Sequence, residues 1–168
     1  AKAAEEHFFE TSIPDSENER ILAQLRQETA NIVLIGMPGC GKTTVGEALA
    51  RLTGREAIDI DQRIVQTAGR SIPDIFTRDG EAAFRELERR ETAEAGKLSG
   101  KIILTGGGVV KDPRNYAPLH QNGYICHLVR DLSCLSTDGR PLSQGADLAA
   151  MWAQREPLYA RFRDTVID

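Results

Sequence analysis

Gly36-Met37-Pro38-Gly39-Cys40-Gly41-Lys42-Thr43 satisfies the spacing GxxxxGK[ST] at every fixed position. Glycines at these places let the backbone curl until successive N–H groups face one anion. A helix that follows adds its positive end. Lys42 has the reach for β- and γ-phosphates, and the Thr43 hydroxyl suits a Mg²⁺ ion. The candidate residues for a nucleoside triphosphate are therefore Gly39, Cys40, Gly41, Lys42, Thr43 and Thr44. The motif does not say where the phosphoryl group goes.

Four further groups could choose the acceptor. Asp59-Ile60-Asp61 closes an apolar run, and alternation along a strand would send both carboxylates to one side. One could serve Mg²⁺ and the other a hydroxyl proton, although a strand-end Asp also caps helices. Arg85 and Glu88 are i,i+3 neighbours, either a solvated pair or an Arg held ready for a carboxylate. Gly106-Gly107-Gly108 follows another apolar run, where small residues admit a ligand close to the backbone or simply make a turn. Arg140 in Gly139-Arg140-Pro141-Leu142 and Arg155 in Arg155-Glu156-Pro157-Leu158-Tyr159 complete the set; each alone reads equally as surface charge.

The elements that must hold these residues alternate in period. Short continuous apolar runs at 32–35, 57–58, 102–104, 124–129 and 165–167 suit strands covered on both faces. Helical patterns lie between them: Thr44 to Leu52 before Gly54, Asp61 to Thr67 before Gly69, and a helix begun by Ser71. Asp79 is expected to cap a separate helix carrying Phe84, Leu87 and Glu88, and Pro141 to Arg161 is expected to be mostly helical with a break or kink at Pro157. Strands alternating with helices predict an α/β three-layer sandwich on a parallel sheet. Residues 1–30 have a different texture. There Ser16 and Glu19 have capping-box spacing ahead of Ile21, Leu22 and Leu25, which predicts a helical extension or linker before a kinase-like domain at 31–168.

Composition excludes several classes. A chain of 168 residues with net charge −4 has no broad basic face for nucleic acid. No apolar run approaches membrane-spanning length. Three cysteines without metal spacing read as reduced thiols of a cytoplasmic protein. The chain opens on Ala1 rather than Met, so a longer polypeptide is one expectation.

In order, GMPGCGKTTVG, DID, GRSIPDIFTRDGEAAFRELE, TGGGVV, GRPL and REPLY resemble the shikimate kinase family over about four-fifths of the chain. The resemblance implies a nucleoside-monophosphate-kinase-like fold with a five-stranded parallel sheet and a mobile lid. It implies transfer of the γ-phosphoryl of ATP to the 3-hydroxyl of shikimate, with Mg²⁺. Residue by residue, it makes Lys42 and Thr43 the phosphate and metal residues, Asp59 the carboxylate near Mg²⁺, and Asp61 the group that takes the hydroxyl proton. Arg85 and Arg155 clamp the acceptor carboxylate, Gly106, Gly107 and Gly108 line its pocket, and Arg140 is the lid Arg over the transferring phosphate. Against that pattern, the stretch from Arg130 to Gly139 is short and carries Ser133, Cys134 and Ser136 where another Arg is usual. AKAAEEHFFE resembles the end of a shikimate dehydrogenase, so a fusion to such a domain is a further expectation, the kinase unit itself being monomeric. The rival readings are another small-molecule P-loop kinase, such as a gluconate-kinase-like protein, and a nucleotide-binding module without catalysis.

Overall fold

In the computed structural model, Ala3, residues 14–135 and residues 147–168 are described. Five strands form one sheet: β1 (Asn31–Ile35), β2 (Ala57–Asp59), β3 (Ile102–Leu104), β4 (Gly123–Leu128) and β5 (Thr165–Ile167). Their spatial order is β2-β3-β1-β4-β5, and every pairing is parallel. Val33, Leu34 and Ile35 of β1 and all of β3 are buried, as continuous apolar runs between two helical layers must be.

The helices are α1 (Asp15–Thr29), α2 (Lys42–Thr53), α3 (Ile60–Ala68), α4 (Ile72–Gly96), α5 (Tyr116–His120) and α6 (Leu148–Phe162). Gly54 and Gly69 end α2 and α3 in the left-handed conformation. Ser71 starts α4 by accepting the Asp74 N–H. The core is built from β1, β3 and β4 against Ile60 and Ile64 of α3, Ile75 and Phe84 of α4, and Tyr159 and Phe162 of α6. Glu91 pins α3 to α4: its carboxylate accepts from Arg63 Nε at 3.0 Å and Thr67 Oγ1 at 2.9 Å. Among the described residues, no helix is long and apolar enough to cross a membrane.

Some expected boundaries hold and others do not. A separate helix carrying Phe84, Leu87 and Glu88 is present as expected: the backbone leaves the helical region at Gly80 (φ 83°, ψ 173°), so α4 is two helices meeting at a kink. The Asp79 carboxylate pairs with Arg70 at 2.5 Å. Of the helix expected from Pro141, residues 141–146 lie outside the described residues; α6 starts at Leu148, where the Asp147 carboxylate accepts from the N–H groups of Ala149 and Ala150. Pro157 lies inside α6 without ending it. Ser16 sits inside α1, which Pro14 precedes with no side-chain cap, so the capping box is not made.

Candidate active site

The carboxyl ends of the strands open into one cavity of about 760 Å³. Beyond β1 the chain turns through Gly39 (φ 83°) and Gly41 (φ 98°), and Gly41 precedes α2 with no side-chain cap. The first-turn N–H groups of α2 are thus open to an anion. Lys42 is buried, and its Nζ donates to the Gly36 and Met37 carbonyls at 2.9 Å each. Gly39, Gly41, Lys42, Thr43 and Thr44 all line the cavity. Cys40 does not. Its side chain is buried and its N–H donates within the loop to Met37 O at 3.3 Å.

The opposite wall comes from β2, β3 and α4. Asp59 and Asp61 both reach the cavity, but not by strand alternation. β2 ends at Asp59, whose Oδ1 caps α3 by accepting the Gln62 N–H at 3.1 Å; Asp61 stands in the first helical turn. Between them Ile60 points into the core.

Arg85 is braced on three sides. Its Nη1 donates to Glu88 Oε2 at 2.7 Å, its Nη2 to Glu81 Oε1 at 3.0 Å, and its guanidinium lies 5.1 Å from the Phe84 ring centroid. Lys111 donates to the same Glu81 oxygen at 2.6 Å. Glu88 is almost wholly buried. Burial pushes its carboxyl above the usual range and Asp61 adds to this, while Arg85 opposes it.

Each glycine of the 106–108 turn is required by a different neighbour. A Cβ at Gly106 would stand 3.0 Å from Asp61 Oδ1 and Glu88 Oε1, one at Gly107 2.6 Å from Pro38 Cδ, and one at Gly108 2.6 Å from Arg85 Nη1. From α6, buried Arg155 donates through Nη1 to the Gly107 carbonyl at 3.1 Å. Tyr159 donates to the same carbonyl at 2.6 Å, and burial raises its hydroxyl pKa, keeping it a donor. Three carboxylates, two arginines and a glycine turn therefore face the phosphate loop across one cavity.

The shikimate kinase family model matches residues 38–168. The chain belongs to the shikimate kinase family. The shikimate kinase of Stenotrophomonas maltophilia is 42% identical over 147 residues, 82% of each chain. That of Synechococcus is 40% identical over 146 residues, 81% of this chain and 74% of the relative. Among solved structures, the Acinetobacter baumannii shikimate kinase in complex with shikimate superposes with a TM-score of 0.78 at 33% identity, over 84% of each chain. The Aquifex aeolicus shikimate kinase gives 0.71 at 28% identity, over 82% of this chain and 85% of that one.

Within this shikimate kinase fold, the expected lid residue Arg140, with Gly139, Pro141 and Leu142, lies outside the described residues. Sequence reasoning missed several lining residues. Phe76 and Phe84 form an apolar floor with ring centroids 4.7 Å apart. Arg130 also lines the cavity. Its one signal in the sequence is its place directly after the apolar run 124–129, at the strand end where α/β sheets bind ligands.

Proposed function

We propose that this chain transfers the γ-phosphoryl group of ATP to the 3-hydroxyl of shikimate, giving shikimate 3-phosphate and ADP. What supports it most is the convergence of Arg85, Arg155 and Asp61 on the Gly106–Gly108 wall, facing the phosphate loop. Two guanidinium groups suit one acceptor carboxylate, because a planar fork gives bidentate contact. Asp61 takes the proton as the acceptor oxygen bonds to phosphorus and the bond to the ADP oxygen breaks. Lys42, held by two loop carbonyls, carries a third N–H donor for the β- and γ-phosphates. Arg140 would add charge over the transferring group from the segment before α6.

Mg²⁺ fits the donors present. Thr43 offers a hydroxyl and Asp59 a carboxylate whose Oδ2 is outside the α3 cap, an all-oxygen pair suited to a hard cation. Bound there, Mg²⁺ would neutralise phosphate charge beside the loop. The reading extends to a monomeric kinase unit over 31–168 in the cytoplasm, with residues 1–30 a linker from an upstream dehydrogenase. Gene sequence upstream of Ala1 tests that last point.

An ADP-release assay with shikimate, gluconate or no acceptor tests the function. Release with shikimate alone is expected. Equal release with gluconate, or release that no acceptor increases, overturns it.

A further inference from the structure

We infer that Arg130 is a nucleotide-binding residue that grips the polyphosphate of ATP and ADP. The inference rests on the ATP-dependent reading above and adds a cation that the phosphate-loop motif does not contain.

Position is the first argument. The strand order β3-β1-β4 sets the phosphate loop, which follows β1, between two neighbours. On one side, β3 leads into the Gly106–Gly108 wall, where Arg85 and Arg155 converge. On the other, β4 ends at Leu128, and Arg130 stands two residues beyond it. The register pairs Ile35 with His127, and Gly36 packs against the Leu128 carbonyl, so the phosphate loop and the end of β4 are in contact. Arg130 therefore enters the cavity on the far side of the loop from the acceptor wall. A side chain there meets the nucleotide.

Charge is the second. Lys42, Arg85, Arg130 and Arg155 line the cavity with three carboxylates. Arg85 is committed to Glu81 and Glu88, Arg155 to the Gly107 carbonyl, and Lys42 to two loop carbonyls. Arg130 has no carboxylate or carbonyl partner among the described residues. The adjacent Asp131 is occupied, its Oδ1 accepting the Ser133 N–H at 3.2 Å and the Ser133 hydroxyl at 3.0 Å. Among the described lining residues, Arg130 is the cation in excess of the carboxylates. A guanidinium offers phosphate oxygens a fork of N–H donors.

Calorimetric titration of ADP with Mg²⁺, and separately of adenosine, tests the assignment without requiring an acceptor. Arg130 is exposed, so Arg130→Ala and Arg130→Gln should melt as the parent does, and Gln also keeps most of the stem. Both variants should bind ADP about 10-fold more weakly and adenosine unchanged, with Arg130→Lys between them and the difference shrinking at high salt. In turnover, the KM for ATP should rise while that for shikimate stays within about twofold. ADP binding within about twofold of the parent overturns the inference, as does an equal loss for adenosine, which would indicate a base contact or a general structural effect. A parent chain that binds no ADP overturns the kinase reading as well.

Discussion

Asp61 carries the sharpest expectation for a single residue. It reaches the cavity from the first turn of α3, its Oδ1 close to Gly106 and its charge felt at Glu88. Asp61→Asn keeps size and removes the charge that accepts a proton. The kcat should fall by at least about 100-fold while ATP binding, read by calorimetry, is nearly unchanged. Near-parent turnover would remove Asp61 from the mechanism. Gly108 offers a complementary test from the acceptor side. Its φ of −105° strains no residue, so Gly108→Ala acts only through the added methyl, which collides with Arg85 Nη1 and Nη2. Arg85 must then leave Glu88 or Glu81, and hydrogen bonds to charged groups are each worth roughly 1.5–3 kcal/mol. The KM for shikimate should rise by about 10-fold or more, with that for ATP within about twofold. An equal rise in both would show that the methyl disturbs the whole cavity rather than the acceptor clamp.

At the level of elements, the sheet was legible because β1, β3 and β4 are buried on both faces, which writes uninterrupted apolar runs into the chain. The glycine caps of α2 and α3 were legible for the same local reason. Three things were not. The kink that divides α4 falls at Gly80, but the Asp79 carboxylate beside it pairs with Arg70, nine residues away, which no local spacing announces. The start of α6 turns on one Asp among several polar candidates. Asp59 and Asp61 share the cavity, but not by alternation, since strand pairing ends at Asp59, two residues short of Asp61. α1 gives the prediction at this scale. None of its residues is buried, and its tie to the sheet runs through backbone carbonyls near its end: Gly100 N–H donates to Thr29 O at 2.7 Å and Arg55 Nη1 to Ala30 O at 2.8 Å. Arg55 also donates to the Gln27 carbonyl. Removing residues 1–28 leaves the Thr29 and Ala30 carbonyls in place. Turnover with shikimate should stay within about twofold and the Tm within a few degrees, as expected when few buried contacts are lost. A collapse of either would place α1 inside the kinase unit and end the proposed boundary at residue 31.

For the whole molecule, acid stability should hinge on His127. Its ring is wholly buried on β4, stacked on Tyr159 at 4.5 Å between centroids. Arg163 Nη1 lies 3.2 Å from Nδ1, and a guanidinium only donates, so Nδ1 accepts and the proton belongs on Nε2. Burial, then the charges of Arg163 and Lys42, lowers the His127 pKa to about 4. Glu156, 3.5 Å from Arg163, only partly relieves that charge. The folded chain therefore resists a proton that the unfolded chain takes near pH 6.5. His127 contributes stability that is complete above the unfolded pKa and is lost as pH falls towards about 4. At about 1.4 kcal/mol per pH unit, the loss is roughly 3 kcal/mol, and for a chain of this size each kcal/mol moves the Tm by about 2–4 °C. His127→Phe keeps an aromatic ring against Tyr159 but has no proton to take and no Nδ1 for Arg163. It should melt lower than the parent at pH 7 and lose fewer degrees between pH 7 and pH 4. Melting curves at the two pH values decide it: a parent and a variant that fall by the same amount would mean that His127 does not stay neutral in the folded chain.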